Sequence, residues 1–174
     1  GLDDEYYSGR RPTSPYIPNF QYEPKRYKKD YVRGYALSAW SHRENWQNMQ
    51  HQAGIGAGFK QKLSQAGRWY LGLSAQGDML PRYENQVSLH PTKTDKWGIP
   101  QLHINCEWSD NEKMMMDDAA ATAEEMLVKA KLTDVTSYTS YHKKAPGLAI
   151  HEVGTARMGR DPKNSVLNGF NQTH

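Results

Sequence analysis

Polar and apolar residues alternate most regularly between Pro100 and Trp108. There Leu102, Ile104, Cys106 and Trp108 fall on one side of an extended chain, and Gln101, His103, Asn105 and Glu107 on the other. Glu84 to His90 alternates as well, with Val87 and Leu89 on one face. Thr94 to Gly98 supplies turn residues between the two runs, so residues 84–108 read as a hairpin. Trp69 to Ser74 is a further predicted strand. The period changes at Ser109, which has capping-box spacing to Glu112. Met115, Ala119, Ala123, Met126 and Ala130 then recur near one face of a helix predicted from Asp110 to Lys131. Acidic Asp117, Asp118, Glu124 and Glu125 precede Lys129 and Lys131, the order the helix dipole favours. The run Met114-Met115-Met116 reads as packing. Thr136 to Tyr141 is β-prone, and Gly147 to Val153 reads as a short strand through Leu148, Ile150 and Val153. Asn164 to Leu167 reads as another, before a turn at Asn168-Gly169.

The first 35 residues have a different texture. Tyr6, Tyr7, Tyr16, Tyr22, Tyr27, Tyr31 and Tyr35 are interleaved with Pro12, Pro15, Pro18 and Pro24, which forbid a continuous helix or a central strand. The expectation is an irregular arm lying across its own or a neighbouring domain. Arg10, Arg11, Lys25, Arg26, Lys28 and Lys29 sit among the tyrosines, a mixture also found on single-strand nucleic-acid platforms. The chain as a whole argues against that partner, because 22 Lys+Arg against 19 Asp+Glu leave a net charge of only +3. Its 174 residues suffice for one domain with a sizeable core. No apolar run approaches twenty residues, so no membrane span is expected. The single Cys106 excludes an internal disulfide and leaves the redox compartment open. Its place in the apolar alternation assigns it to a core rather than to nucleophilic chemistry.

Two candidate motifs fail on spacing. Gly54-Ile55-Gly56-Ala57-Gly58-Phe59 looks like a nucleotide loop, but a dinucleotide fingerprint opening at Gly54 needs glycine at position 59, and the preceding Asn45 to Gln52 is not a strand. A loop leading into a helix through Lys60 to Gln65 is expected instead. His151-Glu152 begins like a zinc-protease helix, but Thr155 stands where the second histidine must be, and no metal site is expected. What remains is His151 itself, at the end of an apolar run and before a turn bracketed by Gly154 and Gly159. An imidazole there titrates near neutral pH and can accept a hydroxyl proton. A core histidine satisfied by a neighbour fits the same spacing. The polar face of the 100–108 strand is likewise either solvated or the lining of a sugar-sized pocket.

The string His151-Glu152-Val153-Gly154-Thr155-Ala156-Arg157-Met158-Gly159-Arg160-Asp161-Pro162 closely resembles the C-terminal signature of the FAD-dependent glucose–methanol–choline oxidoreductases. Gly77-Asp78-Met79-Leu80-Pro81 with Asn85 to Leu89, Asp95-Lys96-Trp97-Gly98-Ile99-Pro100, and Ser165-Val166-Leu167-Asn168 resemble other late parts of that family, in the same order. Arg10-Arg11-Pro12 with Tyr16-Ile17-Pro18 resembles bacterial sugar-oxidising members.

The resemblance implies an α+β substrate-binding domain, an antiparallel sheet with flanking helices, without the FAD-binding Rossmann-like domain. It divides the chain into an arm (1–35), the substrate-binding domain (36–150) and the signature loop with the start of the return to the FAD domain (151–174). It makes His151 the general base in oxidation of an alcohol group, a sugar by preference, and places Gly154 and Thr155 near the flavin. Asp78, His103 and Asn105 become substrate-contact candidates, although Asp78 stands where glutamate is common. The partners implied are a small alcohol or sugar and the missing FAD-binding domain. Alone, the chain is expected neither to hold FAD nor to turn over. The alternative is a stand-alone carbohydrate-binding or interaction module.

Overall fold

A computed structural model describes residues 15–23, 25, 30–44, 54–65, 67–142, 145–148 and 150–174. Arg10-Arg11-Pro12, Asn45 to Gln52, and Tyr6, Tyr7 and Tyr27 lie outside these. The chain divides into two units, Gly1–Asp78 with Asp110–Thr139, and Met79–Ser109 with Ser140–His174.

The first unit is a three-stranded antiparallel sheet with one long helix on it. Strand β1 (Tyr16–Ile17) pairs with β2 (Tyr35–Arg43), and β2 pairs along its whole length with β3 (Trp69–Gly77). Strand β3 was expected. Strand β2 is not evident from the sequence, because its inward residues Tyr35, Leu37 and Ala39 alternate with small Ala36 and Ser38 rather than with charges. Helix α1 (Gly56–Ser64) follows the glycine-rich stretch, as expected for a loop entering a helix. Helix α2 (Asp110–Lys129) ends two residues before the sequence expectation. Lys131 adopts φ +62°, while Leu132 N donates to Leu127 O (3.1 Å) and Lys131 N to Val128 O (2.9 Å). That left-handed turn satisfies the last carbonyls and stops the helix.

The core forms where α2 meets β2. Tyr31, Tyr35, Leu37, Met115 and Ala119 are buried, and Ile17, Phe20, Ala123 and Met126 pack around them. The helix face read from the sequence is therefore the buried one, except for Ala130, which lies beyond the helix end and is exposed. Segment 15–35 contributes β1, a single 3-10 turn (Phe20–Tyr22) and two core tyrosines. A Cβ on Gly77 would lie 2.6 Å from Met115 Cε, so glycine lets the helix approach β3.

Polar groups are stitched into this core around Asp118. Its Oδ2 accepts from Tyr31 (2.7 Å), Tyr35 (2.9 Å) and Gln21 Nε2 (3.2 Å). The Tyr35 hydroxyl also lies 2.9 Å from Thr122 Oγ1 and 3.1 Å from Gln21 Nε2. With its one proton committed to the carboxylate, Tyr35 accepts from both. Burial, then the hydrogen bond to Asp118, pushes the Tyr31 phenol far above its usual range. Burial is also the largest cause raising Tyr35.

The second unit holds the expected hairpin, β4 (Gln86–Thr94) and β5 (Pro100–Asn105). Asp95 Oδ1 closes its turn by accepting from Trp97 N (2.8 Å) and Ile99 N (2.9 Å). Val87 pairs with Ile104 and Leu89 with Leu102, so the apolar face has the expected register. All four side chains are more than half exposed, and Cys106, expected in a core, is half-buried just past the strand end. Alternation fixed the face, but no second layer within this unit's described residues covers it.

Three expected strands do not form. The described residues of 147–153 are irregular, because Gly147 (φ +81°) and Ile150 (φ +57°) leave the extended region. Thr136 to Tyr141 has no ladder and ends in the 3-10 turn Ser140–His142. Asn164 to Leu167 is a turn ending in a bridge residue, Leu167, paired with Met158 and Thr173.

Leu37 is fully buried, so Leu37→Ala should cost about 2–5 kcal/mol in chemical denaturation. Leu89→Ala, at an exposed position, should cost no more than about 1 kcal/mol. The raised phenols hold their protons more tightly folded than unfolded. Their contribution is full below about pH 10 and is lost as pH rises beyond it, where unfolded phenols ionise first. The denaturation midpoint should fall as pH is raised past about 10, and less steeply in a Tyr31→Phe/Tyr35→Phe variant. Equal slopes would count against the buried network.

Candidate active site

The loop around His151 has two parts, an exposed crown and a fastened base. In the base, the Arg157 carbonyl accepts from Val166 N and Leu167 N (both 3.1 Å), and Gly159 N donates to Leu167 O (2.8 Å). Arg157 Nε donates to Asn164 O (2.7 Å). Asp161 Oδ1 accepts from Lys163 N (2.9 Å), and the Asp161 carbonyl accepts from Asn164 N (3.0 Å) and Ser165 Oγ (2.7 Å). Ser165 is buried, and a Cβ on Gly159 would come within 2.7 Å of it. Only glycine permits that approach.

Residues 150–158 are all exposed. Ile150 at φ +57° and Gly154 at φ +106° bend the chain on either side of His151. Gly154 also faces open space, with nothing within 4 Å of a built Cβ. Thr155 and Ala156 then form a turn. The His151 ring is accessible, which removes the alternative of a histidine satisfied in a core. An accessible imidazole on a bent but anchored loop can exchange a proton with a hydroxyl brought against it.

Five of the candidates named from sequence fall in the second unit. His151, Gly154 and Thr155 share the loop. His103 and Asn105 share the polar face of β5, opposite Ser88 and Gln86. The His103 ring lies 6.0 Å from that of His90, and Asn105 Nδ2 donates to Glu84 O (2.8 Å), fastening the hairpin base. Asp78 follows β3 in the first unit and is exposed.

Sequence reasoning missed a Ser165–His174 contact, 3.1 Å from Oγ to Nε2. It is not a nucleophile with its base. Ser165 spends its one proton on the Asp161 carbonyl, so His174 donates to it and the pair fastens the loop. Among the described residues no group of three or more His, Cys, Asp or Glu could hold a metal ion, and no helix is long and apolar enough to cross a membrane.

The family described as GMC oxidoreductase matches residues 81–174, a stretch that takes in the hairpin, helix α2 and the whole His151 loop. The 2-methyl-1,2-propanediol dehydrogenase of Mycolicibacterium austroafricanum is 32% identical over 100 residues, covering 56% of this chain. The match spans only 17% of that relative's length. No solved structure matches. With more than half of its residues matched, and with an α+β architecture of antiparallel sheets and helices, the chain belongs to the GMC oxidoreductase family and carries that family's C-terminal region.

Proposed function

We propose that the protein built on this chain oxidises an alcohol group, that of a sugar or similar polyol, with His151 as the base. The observation that carries the reading is an exposed imidazole on the crown of an anchored loop within the family-matched region. The similar mycobacterial protein is named for a diol, which supports an alcohol as substrate. Oxidation of a carbinol removes the hydroxyl proton and, from the carbon, a hydrogen with its electron pair. His151 accepts the proton, and the carbonyl forms as the carbon–hydrogen pair departs. FAD, when bound, supplies the acceptor for that pair.

Gly154 and Thr155 are proposed to lie beside the ring end of that cofactor. Gly154 and Thr155 offer exposed backbone beside His151, with room for a flat ring against Gly154. The glycine-rich stretch at 54–59 lacks the last glycine of a dinucleotide fingerprint, with Phe59 in its place. The nucleotide end would be held by polypeptide outside these residues. His103 is proposed as a polar substrate contact. Asn105 is proposed as a second contact, through its Oδ1 and the amide hydrogen not given to Glu84 O. In the same reading, residues 36–150 form the substrate domain, 1–35 an arm on it, and 151–174 the loop and return.

The decisive test is rapid-mixing reduction of the flavin by substrate in the full-length protein. His151→Ala should slow it by about two to four orders of magnitude without lowering the melting temperature. Retention of most of the rate, with the fold intact, rules out the assignment. Gly154→Val forces a branched residue into φ +106° and should lower the same rate, while a Val at exposed Gly169 should not.

A further inference from the structure

We propose that the polar face of the β4–β5 hairpin holds a small-oxyanion site, built on a fixed N–H of His90 and the neighbouring ring of His103, that takes a carboxylate or phosphate group. The site begins with an irregularity of the ladder. Leu89 pairs with Leu102, and the next pair is Thr94 with Pro100, so His90 to Lys93 stand against Gln101 alone. A bulge of this kind releases backbone N–H groups from the ladder, and bulges are enriched beside functional sites, where they re-aim a side chain. Here His90 takes up two of the released groups. Its Nδ1 accepts from Thr92 N (3.2 Å) and Lys93 N (3.0 Å).

Those two bonds set the chemistry of the ring. In a neutral imidazole the nitrogen that accepts is the one without the proton, so the N–H of His90 is at Nε2. That N–H has no hydrogen-bond partner among the described residues. The His103 ring stands beside it, with 6.0 Å between centroids at an interplanar angle of 70°. His103 is exposed, and neither of its ring nitrogens is hydrogen-bonded among the described residues. Ser88 pairs with His103 across the ladder and adds a hydroxyl on the same face. One donor is therefore fixed in place, and two polar groups near it can turn to suit an acceptor.

The same features choose among ligands. A transition-metal ion needs the lone pair of a ring nitrogen, and the free nitrogen of His90 carries a proton instead. Moving that proton to Nδ1 would set it against two backbone N–H groups. A hard cation finds no ready carboxylate either. Between Gln86 and Asn105 the one acid is Asp95, whose Oδ1 is committed to Trp97 N and Ile99 N. Lys93 and Lys96 lie on the same stretch, so its balance of charge is positive. An oxyanion accepts from an N–H donor without needing a charge on the ring, and a charged acceptor makes the stronger bond. The assignment rests on the hairpin alone and does not depend on His151 or on alcohol oxidation.

The test is direct binding without turnover, by calorimetry on the full-length protein, with inorganic phosphate and acetate as separate probes. Saturable binding of at least one, with a Kd of about 1 mM, is expected. Preference for phosphate identifies a phosphate group as the feature recognised, and preference for acetate identifies a carboxylate. His90→Asn keeps an acceptor for the bulge, because an Asn side chain can bond the backbone two residues on, but it removes the Nε2 proton. That variant should weaken binding about tenfold at an unchanged melting temperature. His103→Ala, at an exposed position, should weaken it too, and stays informative if His90→Asn disturbs the hairpin. His151→Ala should leave anion binding unchanged while removing turnover, so failure of the base assignment and failure of this one are read separately. Absence of saturable binding of either anion overturns the proposal, as does wild-type affinity in a folded His90→Asn variant. Stoichiometric Zn²⁺ binding that disappears in His90→Asn overturns it as well.

Discussion

The first unit depends on one carboxylate oxygen. Asp118 Oδ2 receives hydrogen bonds from Tyr31, Tyr35 and Gln21, which come from two stretches of chain far from α2 in sequence. Leu37, Met115 and Ala119 would bury apolar area in several rotations of the helix over the sheet. A carboxylate among buried phenols has far fewer acceptable positions, because each unmade bond leaves a desolvated donor or charge behind. The apolar residues supply attraction, and Asp118 supplies the register. Gln21, Tyr31 and Tyr35 are tied to α2 by the same oxygen, which is how Tyr31 and Tyr35 come to stand in a core.

How much of this was legible depends on whether the signal was local. Helix α2 and the β4–β5 hairpin were readable because period, cap spacing and turn chemistry all coincide within a few residues. Strand β2 was not, because its outward positions are small or aromatic and so blur the alternation. Asp118 looked like one more acid favouring the helix dipole, since nothing local marks it as the receiver of bonds from residues almost a hundred positions away. The apolar run at 147–153 misled in the opposite direction: Leu148, Ile150 and Val153 satisfy the strand pattern, but Ile150 sits at φ +57° and no ladder neighbour is present among the described residues. The candidate base was legible through a motif spanning a dozen residues, not through periodicity.

The two sheets also separate two meanings of exposure. The hairpin shows Val87, Leu89, Leu102 and Ile104, branched aliphatic side chains in direct cross-strand pairs, a surface whose composition is that of a protein core. The face of the larger sheet away from α2 shows Trp40, His42 and Tyr70, rings with polar tips, and no aliphatic pair. Exposed surfaces thus carry unlike chemistry, and the side chains present say more about what belongs against a surface than the area does.

In the role proposed for it, His151 faces two opposed demands. The group must be reachable by substrate, yet held closely enough that proton transfer is not lost to wandering geometry. A strand would hold it through a ladder, but a ladder commits the backbone on both sides. Here the holding is displaced along the chain. Arg157, Gly159, Asp161 and Ser165 spend their hydrogen bonds on one another's segments, and His174 closes the set. None of these bonds involves residues 150–156, which are exposed. Two left-handed positions, Ile150 and Gly154, turn the chain on either side of the imidazole. A regular strand through the same residues would have buried or paired the backbone beside His151. The irregular conformation leaves accessible the one imidazole in the loop, and the fastened base keeps that accessibility from becoming disorder.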